Sequence, residues 1–371
     1  MHAKLSPSSS ARWLSCTGSV KAEQAFPSST TSYAVEGTTA HALADLCLND
    51  TRLTPEQFIG ELIDGYAVDD EMAENIAAYV AYVRSFKGIH FYEVRVNFSE
   101  WIPDGFGTSD AIVIDEKAKT VHVIDLKYGK GVPIDADNNS QGMLYALGVL
   151  SEYSFIYDLD HVVIHIYQPR IKNYSSWSIT TTELLKWAEW AKQRAEEAIT
   201  DNAPRTPSEK ACQWCKAKAT CKALLDHTHN VLMNDFDDLT SINPDTLTDN
   251  ELRVIMDNAK LIKSWLDTIE EYIFDKLNNG QAFDGYKLVE GRSTRTWQDE
   301  KQAAIALADK VPSDKLFTQK LISPAQAEKL LKNDKELFAS LVTKSAGKPT
   351  LVPSCDKRIA LNDANVFDAL D

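Results

Sequence analysis

A chain of 371 residues carries 54 acidic against 39 basic side chains, a formal net charge of -15, enough for one large domain or two smaller ones. Such an acidic balance argues against a generic basic binder of nucleic acid. The absence of any run of eighteen apolar residues argues against a helical membrane span. Met1-His-Ala-Lys-Leu-Ser6 lacks the apolar core of a secretory signal, so the expectation is a soluble cytoplasmic protein whose six cysteines are free thiols or metal ligands rather than a disulfide framework.

In chain order, residues 1 to 32 are rich in Ser and Thr, with a short helical turn at Ala11-Arg-Trp-Leu-Ser-Cys16. Glu36-Gly-Thr-Thr-Ala-His41 then leads into a helix over Ala42 to Leu48. Glu36 and His41 are near enough in sequence to approach one site, although taken alone the pair reads more readily as an ordinary capped helix. Met72, Ile76, Tyr79, Val80 and Val83 recur at helical spacing between Asp69 and Lys87. Phe91 to Phe98 alternates as a strand, with Glu93 and Arg95 on one face, either supporting a site or simply solvated. A β-hairpin follows: Ala111 to Ile114, a turn at Asp115 to Lys119, then Val121 to Ile124.

This hairpin carries the densest chemistry. Gly107-Thr-Ser-Asp110 precedes one strand, and Asp125-Leu-Lys127 ends the other. If Leu126 points into the core, Asp125 and Lys127 share the opposite face. Two carboxylates beside an ammonium can hold a hard divalent ion and offset charge on a phosphate, which suits phosphodiester hydrolysis. A surface salt bridge is the alternative for so short a motif. Tyr128-Gly-Lys-Gly131 is basic and pliant, and the next helix places Gln141 and Tyr145 on one face. His161 to Tyr167 reads as a strand and Thr182 to Ile199 as a helix.

Cys212, Cys215 and Cys221 form a C-x2-C-x5-C pattern that points to a metal centre. Cys16 as fourth ligand gives the four thiolates of a [4Fe-4S] cluster; His227 or His229 instead gives a structural zinc site. Cys47 and Cys355 read as ordinary thiols. Residues 1-229 therefore form one domain, and 230-371 a mainly helical region. That region has an acidic connector from Asn234 to Asp249, a long amphipathic helix over Glu251 to Asn279 and a β-hairpin over Phe283 to Trp297, which presents Arg292 and Arg295. Helices near Asp299 to Ala308 and Pro324 to Leu331 and a loosely ordered tail from Gly347 complete it.

Together, Glu36-Gly-x-x-x-His41, Gly107-Thr-Ser-Asp110, Asp125-Leu-Lys127, Gln141-x-x-x-Tyr145 and the four cysteines resemble the RecB-like branch of the PD-(D/E)XK nucleases over residues 10 to 225. The likeness is greatest to its iron-sulfur members, found in CRISPR adaptation, in AddB-type helicase-nucleases and in prophages. The resemblance implies an α/β, restriction-endonuclease-like core, a mixed central sheet flanked by helices. It implies Mg2+ or Mn2+ on His41, Asp110, Asp125 and the Leu126 carbonyl, with Lys127 catalytic, Gln141 and Tyr145 contacting DNA or the reacting phosphate, and Glu36 supporting. It also implies a [4Fe-4S] cluster on Cys16, Cys212, Cys215 and Cys221. Asp125 stands where many relatives carry Glu.

The expected activity is a metal-dependent exonuclease on DNA ends or single strands in phage or mobile-element recombination or replication. The alternative is a non-catalytic DNA-binding or assembly module that recruits a recombinase or single-strand-binding protein. A helicase partner would be a separate chain, because no phosphate-cradling G-x-x-x-x-G-K-[ST] loop occurs here.

Overall fold

The computed structural model describes residues 3–26, 32–233, 249–291 and, in shorter pieces, 293–361. The connector 234–248, Arg292 and Cys355 lie outside the described residues, as does most of the expected helix 324–331. The chain divides into two compact units, Met1–Trp265 and Leu266–Asp371.

The first unit is built on a five-stranded mixed sheet. Its strands are β1 (Ile89–Asn97), β2 (Phe106–Asp115), β3 (Thr120–Leu126), β4 (His161–Gln168) and β5 (Asn173–Thr180), in that spatial order. β3 and β4 are parallel; the other neighbours are antiparallel. A parallel pair needs a crossover, and helix α4 (Ser140–Tyr153) supplies it. Helices α1 (Ser10–Ser15), α2 (Ser32–Asn49), α3 (Asp70–Arg84) and α5 (Thr181–Ala198) complete the layers.

Alternation along the central strands assigns the layers. Ala111 and Val113 of β2, with Ile124 and Leu126 of β3, pack against α2 and α3. Ile112, Ile114, Val121 and Val123 pack on the other face, against α4 and α5. Because both faces are covered, these strands read as continuous apolar runs rather than as alternating ones. Each fully buried Ile, Leu or Val here contributes about 1.5–3 kcal/mol relative to exposure.

Helix starts follow local chemistry. The Asp69 carboxylate accepts from Met72 N at 2.8 Å ahead of α3, and Asn139 Oδ1 accepts from Gly142 N at 3.1 Å ahead of α4. Thr180 and Glu183 form a capping box before α5. In α4 every residue from Gly142 to Leu150 is buried, which explains its lack of a polar face.

Helix α6 (Glu209–Cys212) and helix α7 (Lys222–Met233) follow, and helix α8 (Asp249–Asn278) crosses from the first unit into the second. In the second unit, two expectations are corrected. β6 (Tyr286–Glu290) and β7 (Arg295–Trp297) do not pair with each other as a hairpin. Beyond α9 (Glu300–Ala308) and α10 (Lys335–Leu341), β7 pairs with β8 (Val342–Lys344), and β6 pairs with β9 (Pro349–Pro353). Residues 349–353, read from composition as part of a loose tail, thus complete a ladder, with both prolines at strand ends where a missing N–H is tolerated. Among the described residues, no helix is long and apolar enough to cross a membrane.

Candidate metal centre

The sheet register builds the site. Tyr92 pairs with Ala111, and Ala111 with Ile124, so the next row carries Glu93, Asp110 and Asp125 on three adjacent strands. Like charges on neighbouring strands repel. Glu93 has φ of 42°, a left-handed conformation that costs a non-glycine residue on the order of 1–3 kcal/mol and that concentrates at functional sites.

His41 of α2 closes the row from one side. Its Nδ1 lies 3.2 Å from Asp110 Oδ1 and 3.8 Å from Glu93 Oε1. One ligand atom from each of His41, Glu93 and Asp110 falls within 4.8 Å of the others. Burial opposes protonation of His41, but the Asp110 carboxylate, assisted by Glu93 and Asp125, outweighs it and pushes the imidazole up to about 10. Asp110 is likewise desolvated, yet the facing His41 and the Leu126 amide hold it below the usual carboxylate range.

The other side is a hydrogen-bonded chain. Lys127 Nζ sits 2.8 Å from Asp125 Oδ2 and donates to Gln141 Oε1 at 3.0 Å. The Gln141 amide nitrogen donates to Asp125 Oδ1 at 2.9 Å and to Tyr145 Oη at 3.2 Å. Burial pushes Asp125 up despite Lys127, and burial also pushes the Tyr145 phenol up. Lys127 is desolvated too, but Asp125 and Asp110 raise its pKa, so it remains an ammonium. Gly107 permits the approach of Tyr145, because a Cβ there would lie 2.7 Å from Tyr145 Cε1.

The structure thus brings together His41, Asp110, Asp125, Lys127, Gln141 and Tyr145 and adds Glu93. The signal for Glu93 was its place, with Arg95, on the polar face of the alternating stretch Phe91 to Phe98; its place opposite Asp110 required the strand register. Leu126 is fully buried and enters through its amide, which donates to Asp110 Oδ2 at 2.7 Å. Glu36 is not in that ligand group; it pairs with Arg170 at 2.9 Å and accepts from Tyr66 Oη at 3.4 Å.

Cys16 lies in a separate clasp, where the N-terminal segment meets the chain that runs from α5 to Cys212. Cys16 Sγ accepts from Thr206 N at 3.2 Å, Gly18 N donates to Pro204 O at 2.9 Å, and Arg12 donates to Trp214 O at 3.0 Å while pairing with Glu23. Arg194 Nε donates to Leu14 O at 2.8 Å, tying α5 to the same segment. Burial raises the thiols of Cys16 and Cys212, and Cys215 up to about 11. Cys221 and Cys215 are half-buried, Cys47 is buried within α2, and His227 and His229 lie on α7.

A family model described as "Protein of unknown function (DUF2800)" matches residues 2–359. Among solved structures, that of SSO0001 aligns with 57% of this chain and 84% of its own, at 16% identity and a TM-score of 0.27.

Proposed function

The chain belongs to the DUF2800 family of proteins of unknown function, and we propose that it is a metal-dependent nuclease of restriction-endonuclease-like fold, cutting phosphodiester bonds at DNA ends or in single strands. The observation that carries this reading is the row Glu93, Asp110 and Asp125, bounded by His41 on one side and the Lys127 ammonium on the other.

Carboxylates with one imidazole are a fitting donor set for Mn2+ or Mg2+, and their mutual repulsion favours a cation between them. His41, Glu93, Asp110 and Asp125 would hold it. When bound, such an ion supplies Lewis acidity toward a phosphoryl oxygen and an acidified water. Lys127, held by Asp125 and Gln141, is placed to orient a nucleophilic water or to offset charge on the phosphate. Gln141 keeps Asp125 and Tyr145 in register. The Tyr145 phenol, neutral through burial, serves as a donor rather than a base. Exposure falls from 32% at His41 and Glu93 to 15% at Asp110 and 3% at Asp125. Access thus narrows from His41 and Glu93 toward Asp125, an order that favours a free strand end over a duplex lying flat.

The test is cleavage of end-labelled single- and double-stranded DNA in Mg2+ or Mn2+. The wild-type chain should cut, and Asp125→Ala should not, while keeping a cooperative unfolding transition. A wild-type chain inert on both substrates with both metals would overturn the reading, as would full activity in D125A.

For the second centre we propose a [4Fe-4S] cluster on Cys16, Cys212, Cys215 and Cys221. The support is the clasp that brings Cys16 to the segment leading into the other three. Anaerobically purified protein should be brown with broad visible absorption. Colourless protein with stoichiometric zinc would instead favour a site completed by His227 or His229. A recombinase, single-strand-binding protein or helicase is the class of partner this activity would serve.

A further inference from the structure

Gln168-Pro-Arg170 ends β4 on a short helical turn, just past the residues of β4 that pair with Asp125 and Leu126, and its two polar side chains reach the segments that carry the row's neighbours. The Arg170 side chain is 8% exposed, and its guanidinium lies 2.9 Å from Glu36 Oε2 of α2 and 3.2 Å from Glu71 Oε1 of α3. Its central carbon sits over the ring of Tyr128, 4.7 Å from the centroid, and Tyr128 directly follows Lys127. Gln168, 2% exposed, donates to Gly129 O at 3.3 Å and Val132 O at 3.2 Å, and accepts from Ile134 N at 3.2 Å.

One guanidinium therefore joins the helix of His41, a second helix and the residue after Lys127, while the adjacent glutamine fixes the loop that follows. Resting on the nuclease reading, we propose that Arg170 is a positioning residue: its fork fixes α2 and the Tyr128 segment so that His41 and Lys127 face each other across the carboxylate row. The planar fork is essential to this role. It meets two carboxylates at once while its face lies on an aromatic ring, a geometry a lysine ammonium does not reproduce. Gln168 acts with it by holding the backbone between Gly129 and Ile134.

The test uses the full chain and two variants, Arg170→Lys, which keeps the charge but loses the fork, and Glu36→Gln, which removes one carboxylate from it. Two readouts are compared: the His41 ring signal in proton–carbon correlation spectra, and Mn2+ affinity from paramagnetic resonance of the free ion. In both variants the His41 signal should shift while those of His122 and His165 stay in place, and Mn2+ affinity should fall on the order of tenfold, as for groups that orient metal ligands. A merely structural role would lower thermal stability without singling out His41. Wild-type His41 signals and Mn2+ affinity in both variants would overturn the proposal. If R170K does not fold, the milder E36Q decides it. A wild-type chain that binds no Mn2+ removes the metal reading alone, because the His41 signal still reports on the clamp.

Discussion

Glu93 faces Asp110 across the β1–β2 ladder, between the registered pairs Tyr92–Ala111 and Val94–Ser109, and it does so with a left-handed backbone. A strained carboxylate beside another carboxylate is unfavourable in the free protein and useful to a bound cation. Glu93→Gly should therefore stabilise the metal-free chain relative to Glu93→Ala by about 1–2 kcal/mol, since only glycine adopts this φ without a steric cost. Denaturant midpoints of the two variants measure the difference. Both should lose Mn2+ affinity, and equal stability would show that the backbone is not strained there.

Gly107→Ala tests the contact behind Tyr145. The added Cβ would lie 2.7 Å from Tyr145 Cε1 and 2.8 Å from Pro7 Cγ, so the ring must move. Overpacking of this kind costs about 1–3 kcal/mol. Displacing Tyr145 should also loosen Gln141 and lower the cleavage rate at least tenfold at saturating DNA. Unchanged melting and turnover would mean that Tyr145 tolerates the shift.

His165 predicts an acid-sensitive core. Its Nδ1 pairs with Tyr82 Oη at 2.9 Å and its Nε2 with His122 Nδ1 at 3.0 Å. Burial, then the His122 charge, lowers its pKa from 6.5 to about 4. The unfolded chain thus takes up a proton between about pH 6.5 and 4 that the folded chain refuses. The stabilisation is full above pH 6.5 and is lost as pH falls toward 4, on the order of 3 kcal/mol. Urea unfolding at pH 7.5 and 4.5 should show this drop, and His165→Phe should flatten it.

The clasp yields a prediction independent of nuclease activity. Cys16→Ser should remove the visible absorption of the proposed cluster and lower the melting temperature of the first unit. It should leave Mn2+ affinity within about twofold, since Cys16 is not among the residues grouped around His41, Glu93 and Asp110. Retained colour at full intensity would exclude Cys16 as a ligand.

How much of this was legible in the sequence depended on the range of the interaction. The β2–β3 hairpin and the shared face of Gln141 and Tyr145 follow from two short apolar runs about a polar turn and from helical spacing. Glu93 was legible only as one of two readings, site support or a solvated face, and the Arg170 clamp not at all, because each depends on strand register or on helices distant in the chain. The same limit explains the second unit. Tyr286–Glu290 and Arg295–Trp297 look like a local hairpin, but their partners are Pro349–Pro353 and Val342–Lys344, far downstream, and the first of these lies in a stretch whose prolines resemble a tail.

The clasp also sets an order in time. Cys16 and Thr206 are 190 residues apart, which at a synthesis rate of about 5–20 residues per second separates their emergence by roughly 10–40 s. During that interval the N-terminal segment has no partner after α5, and the Cys16 thiol waits without its companions. Closure of this part of the domain, and any metal it encloses, must therefore come late in the birth of the protein.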